Sequence, residues 1–316
     1  MWFKNLQIYQ VTDRFKQSPE DLNEALSEQG FTPCRGLDTV RMGWVPPLGK
    51  NSAQLVHSAN GRFMLCMRRE ERLLPTAVVR EAVQEKIDEI ALQQDRKVGR
   101  KEKADIKDEI IVDLLPRAFT KSTLIYAYID PANDWIIVDS ASANRSEDLL
   151  KLLRESLGSL KVKPLEVNHA PADTMTRWVV GQPPADMLVS DECELKEPIE
   201  QGGVIRMRGV DLTGQEVQQY LNDGWQITRL SMLWAERIRF VLSDDLSIKR
   251  LRFMDLVMDE ANDVDSEDEA ARFDTDFSLM SMELSRFIPI LCDAMGGVKS
   301  EVVSQIIRDQ HTRNEK

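Results

Sequence analysis

The sequence predicts an α+β protein, with antiparallel sheets flanked by helices and a protruding helical hairpin. Three observations carry this: strand-like segments in pairs around turn residues, two long helical periodicities joined by a basic turn, and no regular strand–helix–strand alternation.

The first element, Trp2 to Val11, reads as a strand, and Ser18 then opens a helix with Pro19 at its first position and Asp21 completing a capping box. Gly30 ends it. After a loop containing Gly43-Trp44-Val45-Pro46-Pro47, Arg62 to Arg69 alternates as a strand and the chain runs to Pro75. From Thr76 to about Arg96 the period turns helical, with Val79, Val83, Ile87 and Ile90 on one stripe. A second helix carries Ile106, Ile110, Ile111, Leu114 and Leu115 and stops at Pro116. Between the two lies Arg96-Lys97-Val98-Gly99-Arg100-Lys101-Glu102-Lys103, so the tip of the hairpin is positive. Leu124 to Ile129 and Trp135 to Asp139 flank Pro131 and Asn133 and form a β-hairpin. A helix beginning near Ser146 stacks Leu149, Leu153 and Leu157 and stops at Gly158.

The second half echoes this order weakly. Thr213 and Glu216 suggest a capping box for a helix ending at Gly224, and strands follow at Trp225 to Trp234, Glu236 to Leu242 and Lys249 to Phe253. A Met- and Leu-rich helix from about Phe277 to Met295 closes the fold, and Lys299 begins a further short helix.

At 316 residues and 42% hydrophobic content the chain can build two or three domains with real cores. No run of about 18 apolar residues offers a membrane span, and the start lacks a basic and apolar leader, so a cytoplasmic protein is expected. Cys34, Cys66, Cys193 and Cys292 form no CxxC pair and read as reduced, mostly buried thiols. The net charge of −12 is local: ten acidic residues face the single Arg272 between Asp255 and Asp276, leaving the remainder close to neutral.

Chemistry has few footholds. Gly43 to Lys50 resembles a phosphate loop, but five residues separate Gly43 from Gly49 and Asn51 stands where Ser or Thr would hold magnesium. Asp263 to Glu269 has calcium-like acid spacing without the turn glycine, and reads as a solvated acidic loop. His57, His169 and His311 lie in different regions, none beside a cysteine. No catalysis, metal or cofactor is expected; a carboxylate-dependent nuclease is the enzymatic alternative. An adaptor that binds partner proteins through the acidic stretch from Asp255 to Asp276 is the non-enzymatic one.

The informative signal is basic residues two apart in strand-like segments: Arg206 and Arg208, Arg237 and Arg239, Arg250 and Arg252. Alternation places each pair on one face, with Met207, Ile238 and Leu251 turned to a core, and Arg229 joins them from its own strand. The bland reading is an open sheet face on which arginines pair with acids. A second cluster, Arg117-Ala118-Phe119-Thr120-Lys121, sets an aromatic between cations, as base stacking or an interface would; core packing of Phe119 is the ordinary alternative.

Seven strings follow in order: Met1-Trp2-Phe3-Lys4-Asn5-Leu6, Phe31-Thr32-Pro33-Cys34, Met42-Gly43-Trp44-Val45-Pro46-Pro47, Leu114-Leu115-Pro116-Arg117-Ala118-Phe119, Val138-Asp139-Ser140-Ala141-Ser142-Ala143, Ser156-Leu157-Gly158-Ser159-Leu160 and Gly202-Gly203-Val204-Ile205-Arg206. Together they resemble the RdgC family of recombination-associated proteins of proteobacteria. The resemblance runs nearly end to end. It implies a ring-shaped homodimer around a positively lined hole, holding double- and single-stranded DNA without sequence preference. It also implies antagonism of RecA, a role in recombination and replication-fork repair, and nucleoid association. ATP hydrolysis forms no part of it. The matching division is a central domain of residues 1–75 and 122–165, a helical tip or gate of 76–121, and a second region of 166–316. Phe119 would pack across the gate against the partner chain, with Arg117 and Lys121 beside it on DNA and Arg96 and Lys97 touching phosphate. Arg206 and Arg208 keep the family's basic character, while Gly209 and Val210 do not.

Overall fold

The structure, a computed structural model, describes residues 1–49, 52–181, 183–262 and 268–299. The expected helix from Lys299 and residues 263–267 of the acidic stretch lie outside them. Elements run β1 (Gln7–Val11), α1 (Pro19–Ser27), β2 (Val40–Val45), β3 (Val56–Ala59), β4 (Arg62–Arg72), α2 (Thr76–Gln94) and α3 (Arg100–Leu114). A 3-10 turn, Leu115–Arg117, leads to β5 (Thr120–Asp130), β6 (Trp135–Val138), α4 (Ala143–Leu157), β7 (Val162–Pro164) and α5 (Pro171–Val179). The second half adds β8 (Met187–Lys196), β9 (Val204–Arg208), α6 (Gln215–Asn222), β10 (Gln226–Trp234), β11 (Ile238–Ser243), β12 (Ile248–Phe253), α7 (Asp255–Asn262) and α8 (Glu269–Ala294). Antiparallel pairing throughout the named strands makes the chain α+β, as expected.

Two sheets form. The first has the order β2-β4-β5-β6-β1-β7, with β3 sharing the outer edge of β4; the second has the order β12-β11-β10-β8-β9. Strict alternation in the first sheet feeds two cores. Ile8, Met64, Tyr128 and Ile137 point to one, while Tyr9, Leu65, Ala127, Ile129, Ile136 and Val138 point to the other. The second of these cores is closed by Leu22 and Leu26 of α1 and by Leu149, Leu150, Leu152 and Leu153 of α4. The first is shared with α5, α8 and one face of the second sheet, where Phe287 stacks at 4.8 Å from Phe240 and 5.5 Å from Trp234. The first sheet is thus buried on both faces except toward the start of β2 and β5, and the second on one only.

The N-terminal segment ties the sheets together. Leu6 exchanges backbone hydrogen bonds with Ile248 of β12, Lys4 accepts from the Leu251 amide, and the amides of Lys4 and Asn5 donate to the Asp139 carboxylate beyond β6. Here the expected strand from Trp2 is shorter, because residues before Gln7 bridge two sheets instead of extending one.

Local signals hold where capping decides them. Ser18 and Asp21 make the reciprocal capping box, and Gly158 ends α4 at φ 71°. Elsewhere the structure corrects the sequence. Gly43 lies within β2, where a loop was expected: Phe31 and Trp44 exchange a backbone bond so close by that a Cβ at Gly43 would collide with the Phe31 backbone. The glycine serves close packing, not a phosphate. Thr213 caps no helix, since its hydroxyl donates to Asp211 and Gly214 holds the N-cap position of α6. The last helix begins at Glu269, eight residues before Phe277, with the Asp268 side chain accepting from Ala270. So Glu269 is helical and not part of a loop. β3, α5 and β8 were not foreseen.

α2 and α3 follow one another across Asp95, at φ 45°, and Gly99, and pack side by side. Of their length only Val79 and Ile106 are buried, with Val98 between them. The apolar stripe is too thin for a domain core, which is why both helices are mostly solvated.

Candidate nucleic-acid interface

The unburied face of the second sheet is the site. Its buried side takes Cys193 and Leu195 of β8, Leu230 and Met232 of β10, Phe240 and Leu242 of β11, and Leu251 of β12. The intervening residues must point outward. They include Glu192 and Glu194 of β8, Arg206 and Arg208 of β9, Arg229 of β10, Arg239 of β11, and Lys249 and Arg252 of β12. A bulge opposite Phe240 gives β12 one extra residue, Arg250, at φ 51°. That residue swings its guanidinium across the sheet. Glu192, Glu194, Arg206, Arg208, Arg229, Lys249 and Arg250 line a depression of about 410 Å³ that Asn5 and Ala141 border from the first sheet's side, with Arg239 and Arg252 outside it.

Register sets the charge pattern. Arg208 stands opposite Glu192, and Glu194 stands between Arg206 and Arg229. Glu192 accepts from Arg208 Nε at 3.1 Å and from Arg250 Nη2. Glu194 accepts from Arg206 Nε at 2.6 Å and from Arg229 Nη1 at 3.2 Å. Two carboxylates therefore serve four guanidiniums, and the cluster keeps a positive surplus that Lys249 enlarges. Arg206 and Arg208 engage only their Nε edge in these contacts, leaving the terminal amino groups facing solvent. The Arg250 hydrogen bond, outweighing burial, holds the Glu192 carboxyl below the usual glutamate range. For Glu194 burial pushes upward, but the Arg206 bond and the Arg229 and Arg206 charges together outweigh it, and the net shift is downward. Both are anions at neutral pH.

Arg239 and Arg252 differ. They face each other directly across β11 and β12, both exposed, with no ion-pair partner among the described residues. Like charges opposed across a ladder cost stability, and an external anion would relieve them.

The remaining sequence-predicted residues lie elsewhere. Arg237 does not share the face of Arg239: it sits at the hairpin turn formed by Ala235 and Glu236, both at positive φ, where alternation lapses, and it turns toward α8. There it binds Glu283 at 2.7 and 3.1 Å and Glu260 of α7 at 2.9 Å. The Glu283 bonds come first among the causes that raise its guanidinium further above its ordinary value. Arg237 is a strut, not an open cation. At the α2–α3 turn, Arg96 is clasped by Glu102 at 2.7 Å while Lys97, Arg100, Lys101 and Lys103 are exposed. Arg117 and Lys121 are exposed at the entry to β5. Phe119 between them is 84% exposed, so core packing within its own chain is excluded; its carbonyl accepts from Leu73, itself 45% exposed.

Sequence reasoning missed Glu192 and Glu194 because β8 went unread. The alternation Glu192-Cys193-Glu194-Leu195 is its signal. The acidic residues Asp255, Asp259 and Glu260 lie on α7, and Glu269, Asp274 and Asp276 on α8, outside the strands of the open face. His57 lies between Phe273 and Phe277 with Asp274 at 3.0 Å, and no group of three or more metal-ligating side chains occurs among the described residues. No helix among them is long and apolar enough to cross a membrane. The four cysteines are free thiols, Cys34 alone partly exposed.

The described residues thus form a two-sheet α+β chain with one arginine-bearing sheet face open to solvent. The family described as "Putative exonuclease, RdgC" matches residues 1–298. Similar proteins named "Recombination-associated protein RdgC" occur in Aeromonas hydrophila (45% identical over 96% of this chain and 100% of that protein), Tolumonas auensis (43%, over 95% and 100%) and Yersinia pestis (44%, over 94% and 98%). The chain belongs to the RdgC family.

Two outcomes follow from this geometry. Arg237→Ala leaves the Glu283 carboxylate buried without its main partner, and the variant is expected to lose about 3 kcal/mol in urea denaturation. The lowered carboxyls of Glu192 and Glu194 stabilise the fold above their unfolded value of about 4.3 and stop doing so as pH falls through the lower folded value. Denaturation midpoints measured from pH 7 to 3 should therefore fall more steeply at the acid end for the natural chain than for Glu192→Gln/Glu194→Gln.

Proposed function

We propose that this protein binds DNA without reading its sequence, as a homodimer that closes around a duplex and also holds single strands, and that it catalyses nothing. By occupying DNA it limits the access of RecA in recombination and replication-fork repair, at the nucleoid. The observation that carries the reading is the open face of the second sheet, where guanidiniums and a lysine outnumber carboxylates around one depression. Guanidinium forks suit phosphate oxygens bidentately and take no account of base identity. The homologues named recombination-associated support the same reading.

In this reading α2 and α3 are a protruding hairpin. Lys97 and Arg96 reach phosphate, Arg96 by exchanging Glu102 for it, while Arg117 and Lys121 add cations near the gate. Phe119 supplies the closing contact. A ring lengthens residence, because a closed dimer leaves DNA only by opening an interface or sliding off an end. Moderate attraction then suffices.

A second reading is favoured by the description of the family as an exonuclease. A metal-dependent nuclease requires loss of end-labelled DNA with magnesium or manganese, and intact label is expected here. An adaptor acting through the acidic α7 region requires that charge-neutralising it abolish RecA inhibition while DNA binding persists.

Fluorescence anisotropy should give similar affinities for unrelated duplexes and a log–log salt slope near −0.9 for each phosphate neutralised. Arg239→Glu/Arg252→Glu should weaken all duplexes alike, by roughly tenfold or more at about 0.1 M salt; unchanged affinity would place the interface elsewhere. Phe119→Ser, on a side chain already solvated in the single chain, should leave the melting temperature within about a degree while shortening DNA residence and loosening the dimer in sedimentation. A dimer of undiminished strength with the same residence time removes Phe119 from the gate.

A further inference from the structure

We propose that Glu192 and Glu194 are affinity-limiting residues, occupying arginine donors in the DNA-free protein and standing beside each arriving phosphate, so that binding is weaker than the arginines alone would make it. This rests on the reading that the open sheet face binds DNA.

Position makes the case. β8 lies between β9 and β10, so its two carboxylates sit at the centre of the cationic field and not on its rim. Glu192 joins Arg208 to Arg250, and Glu194 joins Arg206 to Arg229. Arg206 and Arg229 converge on Glu194, and Arg208 and Arg250 on Glu192, so without the carboxylates the guanidiniums gathered there would repel one another. The carboxylates relieve that repulsion and keep the forks ordered. They are also only partly exposed, 22% and 14%, and are anchored on a strand paired on both sides, so an incoming phosphate cannot push them aside. The phosphate must share each guanidinium with a fixed anion and bear the repulsion between the two negative groups. Arg239 and Arg252 form no such ion pair among the described residues, although Arg239 borders a second depression with Asp191 and Asp211. The face thus has two grades of cation: a pair without fixed carboxylate partners among the described residues, which attracts, and a buffered field that holds weakly and lets go.

The buffering also explains a sequence feature without other use. Glutamates two apart, on the outward side of a strand flanked by arginine strands, lower the charge of a surface that DNA binding alone would make more positive.

The test compares the natural full-length chain with Glu192→Gln/Glu194→Gln on the same fluorescent duplex across a salt series. Glutamine keeps shape and hydrogen-bonding oxygen but removes charge. The double variant is expected to bind roughly tenfold more tightly at about 50 mM salt, with the log–log slope steeper by about 1 to 2 and no sequence preference gained. Equal or weaker binding, with the natural chain still binding in a salt-dependent manner, overturns the inference and leaves the DNA-binding reading standing. No binding by either protein overturns the reading itself. Should the double variant not fold, Glu192→Gln alone is measured, with roughly threefold tightening expected. NMR signals of the Arg206 and Arg208 Nε–H groups in the natural chain give a second readout. They should shift as duplex is added, and signals unmoved at saturation overturn the inference.

Discussion

The packing of α8 against one face of the second sheet governs the molecule. Phe287 between Trp234 and Phe240, with Phe277, Met280 and Leu284 along the same helix, makes that face dry. Once one side of a pleated strand is committed to such a core, its alternate residues are committed to the other side. A one-residue slip in register would bury arginines under α8 and strand phenylalanine in water. The charged surface is therefore enforced by the hydrophobic one, and the energy that fixes where Arg206, Arg208, Arg229, Arg239 and Arg252 stand comes from apolar burial, not from their own ion pairs. Exposed pairs of this kind contribute little by themselves.

The two sheets divide labour for the same reason. The first is buried on both faces except toward the start of β2 and β5, and α1 and α4 sit on it. The second gives one side to the core and the other to solvent. Net charge follows this division: acids concentrate on α7 and α8, cations on the open strands, so a chain of charge −12 still offers a positive surface.

How much of this could be read beforehand depends on the range of the interaction concerned. The α1 cap, the end of α4 at Gly158 and the α2–α3 pair rest on residues close in sequence, and those expectations held. The arginine pairs on β9 and β12 were legible because period-two alternation is local. What failed was long-range. Gly43 looked like a loop residue, since only the approach of Phe31 reveals why a side chain is excluded. Arg237 looked equivalent to Arg239, since only Glu283, distant in sequence, shows that it faces the other way. β8, whose glutamates decide the electrostatics of the face, is irregular where it meets β10, and that broke its pattern. Phe119, ambiguous between core and interface in sequence, is excluded from its own chain's core only by its exposure.

The segment from Lys4 to Leu6 has a mechanical consequence. It hydrogen-bonds to β12 through Ile248 and Leu251 and to the end of β6 through Asp139, so it belongs to neither sheet alone. A force applied to the edge of the second sheet travels along main-chain bonds into the first, a stiffer route than the sliding of side chains. The edge strand of the second sheet is therefore fastened to the first sheet by main-chain bonds as well as by the apolar core the two share.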